Sequence, residues 1–403
     1  MLSSLYSGVQ GISANASSLG VIGANIANVN TIAYKSGDLT FATILGETVA
    51  EGGVKVWGSD KSWAQGSLEY TSKDTDLAVV GAGLFVVEDA EGTDYFTRAG
   101  AFFFDKDGIL INQDGYQVQG FAIASGTATG SPTDIDISTV KDDPKVTSEM
   151  RMAMNLDSAT PASGTFSNTI TINDSLGNSI PLTLTFTKSS DANTWTVSGA
   201  VPEAVSSGTV TFSDETLAFG ADGKLLSPAE SDITVTIDGL TTGASGTMTI
   251  NWDLYDEINK ESYGEITQFS GSSGVSFQTQ NGYATGSIMS LDVGEDGVVT
   301  GVFSNGKSRE LYQVVVAKFP NYNGLSAVGN NLYAASFDSG LPVIGAPQTG
   351  GRGAVTSRAL EMSNVDLATE FVNMITTQRA YQANAKVITT SDQVLQELIN
   401  MKR

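Results

Sequence analysis

The chain has 403 residues, 40% of them hydrophobic, which is room for two or three domains with real cores. Its net charge of −23 speaks against nucleic acid as a partner, because phosphate binding needs a basic footprint. It holds neither cysteine nor histidine, which removes disulfides, thiol nucleophiles, zinc-finger sites and every imidazole base.

Residues 1–34 carry no charged side chain at all. Leu5, Val9, Ile12, Ala16, Leu19 and Ile26 recur at spacings of four and three, with Gly23 filling the gap, and predict a helix. Its other face is Ser, Asn, Gln, Ala and Gly. A neutral face of small residues suits close packing against further helices, identical copies included. Gly8, Gly11, Gly20 and Gly23 each cost about 0.5–1 kcal/mol in a helix interior. The isolated segment is therefore expected to stay unfolded until packing compensates. A buried hairpin of helices within one chain satisfies the same pattern. No charged region precedes an apolar core here, so export would not use a cleavable Sec leader. The longest nearly apolar run, Val79–Val87, is too short to span a bilayer, so no membrane insertion is expected.

Residues 35–74 are polar and Gly-rich with scattered Phe41, Trp57 and Trp63, and read as a linker or clamp whose tryptophans need cover. From residue 75 to 144 short apolar runs are punctuated by Glu91-Gly92, Asp107-Gly108 and Asp114-Gly115, the signature of hairpins. Residues 145–284 change register. Ser and Thr dominate strands such as Leu182–Phe186, Thr194–Val197 and Ile233–Ile237, and predict a second all-β domain inserted in the first. The first domain then resumes over 285–358.

From Ser363 to Arg403 the apolar residues again alternate by four and three: Leu367, Phe371, Met374, Tyr381, Ala385, Ile388, Leu395 and Ile399. Gln378 and Asp392 alone interrupt them. About five heptads without Gly or Pro predict a coiled-coil helix of roughly 60 Å. Ser363 or Asn364 is the expected cap, Asp366 falls in the first turn, and Lys402 and Arg403 close the last. A seam of that length needs a partner, and the segment 1–34 is the one the chain offers. The expected fold is thus mainly β with helical termini. The helices (1–34 and 359–403) pair as a coiled-coil-like inner domain that carries two nested all-β domains.

Candidate sites for chemistry dissolve on inspection. Gly301-Val-Phe-Ser-Asn-Gly-Lys307-Ser308 matches a P-loop pattern, yet a β-branched strand follows where a phosphate-cradling helix is required. Asn305-Gly306 is read instead as a hairpin turn. Asp105, Asp107 and Asn112 lack the bidentate Glu of a calcium loop. The acid pairs Asp142–Asp143 and Glu295–Asp296 are expected in exposed loops. Phe371 and Tyr381 are read as core at heptad positions. Lys35, Arg98 and Arg379 stand isolated, each suited to an acid in its own chain or in a neighbour. No catalytic, cofactor-binding or metal-binding residue is assigned, and no enzyme is expected.

Several passages resemble the bacterial flagellar rod and hook proteins. Asn25-Ile-Ala-Asn28 leading to Thr31-Ile-Ala-Tyr-Lys35 is similar to their N-terminal signature, with Ala33 where the family usually has Gly; a positive φ there would strain Ala. Phe96-Thr-Arg-Ala-Gly100 and Asp105-Lys-Asp-Gly-Ile-Leu110 continue the likeness, and 281–340 is similar to hook proteins in particular. Ala359 to Leu367, with Asn364 and Asp366, and Asn373 to Asn384, with Arg379 and Gln382, is the most specific passage. The resemblance implies terminal helices packed in an inner tube around a channel. Leu5, Val9, Ile12, Leu19, Ile26, Leu367, Phe371, Met374, Tyr381, Ile388, Leu395 and Ile399 would do the packing. It also implies a homopolymer transmitting torque as a universal joint outside the cell. Implied partners are the distal rod protein, the hook cap, the hook–filament junction protein and the flagellar type III export apparatus. A distal rod protein, or a secreted carbohydrate-binding β protein on a helical stalk, are the readings it competes with.

Overall fold

The computed structural model describes residues 2–44, 53–124, 126–228, 232–254 and 265–401. The fold is mainly β, with helix α1 at Leu2–Ala27 and helix α2 at Leu367–Met401. Residues 1–139, 290–302 and 308–403 form one compact unit, and 140–289 with 303–307 form another. Lys402 and Arg403, expected to close the last helical turn, lie outside the described residues.

The first unit is built on Leu84–Glu88, whose four apolar residues are buried on both faces of a sheet. Phe85 and Val87 enter one core with Leu77, Phe102, Val118 and Val314. Leu84 and Val86 enter the opposite core with Phe96, Phe319 and Tyr333. Asp94–Thr97 and Gln117–Ala124 pair antiparallel with this central strand. The expected turns hold Gly92, Gly108 and Gly115 at positive φ, where a side chain is disfavoured. The P-loop-like stretch is a hairpin, with Val298–Phe303 antiparallel to Ser308–Val314 and Gly306 at φ +76°.

The stretch read as a linker holds a two-stranded antiparallel ribbon, Gly37–Ile44 against Gly53–Lys61. Neither strand has a buried face, so the sequence lacks the inside–outside alternation that marks a strand. Trp63 is covered, with its ring 5.0 Å from that of Tyr333 and 5.2 Å from that of Tyr322. Trp57 stays 71% exposed, with the Lys55 ammonium 5.1 Å over its ring.

The second unit stacks two sheets over one core. Thr165–Asn173, Ser179–Lys188, Thr194–Ala200, Thr216–Phe219 and Leu225–Ser227 follow one another in the first sheet. Ile233–Asp238, Thr247–Trp252 and Glu149–Asn155 run through the second. Inward rows from both meet in a cluster that includes Met152, Leu184, Trp195, Val235 and Trp252. Asp142 departs from the exposed loop expected of it. It is buried and accepts from Asn305 Nδ2 at 2.8 Å, because a side-chain amide is available to satisfy it.

Candidate assembly interface

Helix α1 has no charge to place at either end, and its buried residues are Gly8, Gly11, Ala14, Ile22 and Asn25. It runs antiparallel along α2. Ser4 Oγ lies 3.4 Å from Ser391 Oγ near one end, and Asn25 meets Glu370 at the other. A Cβ on Gly8 would sit 3.0 Å from Ile388 Cγ1, and one on Gly11 would sit 2.5 Å from Asn384 Nδ2. These two glycines therefore let the helices approach closely. Gly20 and Gly23 have nothing within 4 Å, so their bare backbone faces open space.

The apolar seam is displaced from this contact. Of the twelve predicted packing residues, Leu5, Ile12, Leu19, Ile26, Met374, Ile388 and Leu395 are half-buried, and Val9, Leu367, Phe371, Tyr381 and Ile399 are exposed. On α2 the covered side runs through Glu370, Met374, Thr377, Asn384, Ile388, Ser391 and Leu395. It shares the 374–388–395 column of the seam and replaces the other column with polar residues one position earlier. Val372, Ile375, Val387 and Val394 join the exposed apolar set. A helix of this composition normally turns its apolar side inward. Here only part of it is covered, and the exposed apolar residues stand among Arg379, Gln382 and Lys386.

The signature residues gather where both helices leave the β unit. Asn25 is 1% exposed and uses its whole amide. Nδ2 donates to Gly37 O at 2.9 Å and to Glu370 Oε1 at 3.0 Å, while Oδ1 accepts from Gly37 N at 2.9 Å and Tyr34 OH at 3.2 Å. Asn28 donates to Ala24 O and accepts from Thr31 Oγ1, closing the turn after α1. Asn364 accepts from Ser36 N at 2.8 Å and donates to Ser62 O and Ala64 O. It is therefore a strap between segments, and neither it nor Ser363 caps α2. Asp366 is the cap, accepting from Ala368 N at 2.8 Å and Thr369 N at 3.2 Å. Arg379 and Gln382 lie exposed on α2.

Beneath these straps is a buried ionic cluster. Glu361, 0% exposed, accepts from Lys35 Nζ at 2.6 Å and Gly66 N at 2.8 Å on one oxygen, and from Arg98 Nη1 at 3.3 Å on the other. Lys35 also donates to Ala64 O, and Arg98 to Val79 O and Gly81 O. Of the three isolated cations, Lys35 and Arg98 thus find their acid within the chain. Burial lowers the Lys35 pKa, against the upward pull of Glu361. Ala33, 1% exposed at φ +59°, donates its N–H to Glu361 O at 2.7 Å. The strained turn foreseen at Ala33 is present, and it brings Lys35 to this carboxylate. Glu361 lies within the matched passage Ala359 to Leu367, yet nothing in that passage singled it out as the partner of a cation. Two unmatched cations in motif positions were the available signal.

The geometry is that of a pair of helices locked at their roots, with exposed apolar side chains along α2. The family models matched are the flagellar basal body rod FlgEFG protein C-terminal at 356–401, the flagellar basal body protein FlaE D2 domain at 142–283, and the flagellar hook protein FlgE/F/G D1 domain at 78–158. The flagellar hook protein FlgE of Escherichia coli is 34% identical over 411 residues, covering 98% of each chain. That of Borreliella burgdorferi is 34% identical over 445 residues, covering the whole of both. A crystal structure of Helicobacter pylori flagellar hook protein FlgE2 is 16% identical and covers 73% of this chain and all of its own, with a TM-score of 0.47.

Proposed function

This chain belongs to the family of flagellar hook proteins, and on that footing we propose that its outward apolar helix sides are the contacts through which it polymerises. It is a structural subunit of the hook, the curved hollow tube that acts as a universal joint between motor and filament. The observation that carries the mode of assembly is the pair of helix faces. One side of the α1–α2 pair is closed by Gly8, Gly11 and Ile388, while Val9, Phe371, Val372, Ile375 and Ile399 face outward with the bare Gly20 and Gly23. Neighbouring copies cover that side in a coiled-coil-like inner tube, where an uncharged α1 avoids meeting its own charge.

The root cluster then has a mechanical role. Asn25, Asn364 and the Lys35–Glu361–Arg98 group hold both helices to the first β unit, so torque carried by the helices reaches that unit through buried bonds. The inserted β unit supplies contacts that bending rearranges. Export precedes folding through the type III apparatus, which the four glycines favour by keeping residues 1–27 unfolded when alone. The distal rod protein below, the junction protein above and the cap during growth are the heterologous partners. A glycan-binding reading rested on the Thr-rich middle, and the D2-domain match at 142–283 accounts for that stretch. Expressing the chain in cells that lack their own hook protein, and imaging the basal bodies by electron microscopy, tests the reading. Curved tubes are expected, and straight rods would assign the chain to the rod instead.

A further inference from the structure

The outward rows of four strands in the inserted unit, Thr165–Asn173, Ser179–Lys188, Thr194–Ala200 and Thr216–Phe219, contain no charged residue. Ser, Thr, Ala and Pro fill them. Yet residues 140–289 and 303–307 hold eighteen acids against seven bases. The other sheet follows the usual rule, and its outward rows carry Asp238, Glu149 and Arg151. Asp174 and Asp191 mark the ends of the neutral sheet and sit in its turns. Hydroxyls on the face bond one another across strands, Ser167 Oγ to Thr185 Oγ1 and Thr169 Oγ1 to Thr183 Oγ1, each at 3.0 Å.

We propose that this charge-free hydroxyl face docks against a second copy of the chain within the polymer, an inference that rests on the assembly reading above. Two bodies this acidic repel when their charged surfaces meet. A neutral face is the approach that avoids the repulsion, and a copy of the same chain is the partner for which the repulsion matters. Covering the face is cheap, because hydroxyls already paired within the sheet keep those bonds. Four strands about 4.8 Å apart and roughly 20 Å long give about 400 Å², half of the roughly 800 Å² per partner that a stable pair buries. The contact is therefore too small to hold alone and suits units already tethered through another interface. Identical hydroxyl rows repeat about every 6.8 Å along a strand, so a neighbour shifts register at little cost, as a bending tube requires.

The absence of cysteine makes the test clean. Thr185→Cys and Ser198→Cys on the face, and Thr249→Cys on the other sheet as reference, are placed singly in the full chain. Maleimide labelling rates are then measured on soluble subunits and on assembled tubes. The proposal expects the rates at 185 and 198, relative to 249, to fall at least tenfold on assembly. Unchanged ratios in intact tubes overturn it while leaving the assembly reading standing. Failure of the unsubstituted chain to form tubes overturns both.

Discussion

Lys35 Nζ donates to Glu361 Oε1 at 2.6 Å with both side chains fully buried, joining the turn after the first helix to the strand before the last. Arg98 shares the same carboxylate, so the cluster holds two cations and one anion away from water. Glu361→Gln leaves both cations buried without a counter-charge and is expected to cost about 3–5 kcal/mol. Lys35→Met leaves the Arg98–Glu361 pair intact and is expected to cost clearly less. Urea unfolding of the soluble subunit measures both, and a smaller loss for Glu361→Gln than for Lys35→Met would refute this ordering.

The helix glycines divide into two kinds. Gly11→Ala places a Cβ against Asn384 and should destabilise the subunit despite a better helix propensity, with Asn384→Ala restoring it. Gly20→Ala meets nothing in the single chain and should stabilise the subunit by about 0.5–1 kcal/mol. If copies pack on that side, the same change slows or blocks polymerisation. Melting of subunits and sedimentation of polymers separate the two effects.

Ala33 sits at φ +59° with its side chain buried. Ala33→Gly removes strain of about 1–2 kcal/mol and adds unfolded-state freedom of about 0.4–1 kcal/mol. Unchanged or slightly raised stability is the expected result. Ala33→Val puts a β-branched residue in the left-handed region and should cost more than 2 kcal/mol, about the strain of an Ala there plus the crowding of a buried site. Equal stability of the two variants would show that the turn relaxes.

Alkaline pH has a defined effect through Tyr333. Burial raises its phenol from 10.0 to about 12, so between those values the unfolded chain sheds a proton that the folded chain keeps. The stabilisation is whole below pH 10 and is lost as pH rises through about 12, a swing of up to about 2.7 kcal/mol from this group. Tyr333→Phe should flatten that decline in a urea series over this range. An equally steep decline in the variant would assign it to other groups.

Much of this was legible in the sequence. Gly after Asp or Glu located the hairpin turns, because positive φ is a local demand that local residues meet. The ribbon at Gly37–Lys61 was not legible, since neither strand has a fully buried face to impose a period. Heptad spacing located α1 and α2 but not which side of each faces the other. Gly8, Gly11, Asn384 and Ser391 make that contact, and size and polarity there outweigh hydrophobicity. Asn364 resembled a cap because its residue type favours caps, yet Asp366 stands next to the first helical residue and takes that role. Glu361 was invisible as a site because a lone Glu is usually solvated, and only the fold brings Lys35 and Arg98 to it.

Val372→Glu combined with Ile375→Glu tests the central claim most directly, because both side chains are more than half exposed on α2. The account predicts a subunit that melts within about 0.5 kcal/mol of the unsubstituted chain, as surface changes do, yet forms no tubes under the electron microscope. Tubes of ordinary diameter and curvature from that variant would contradict it.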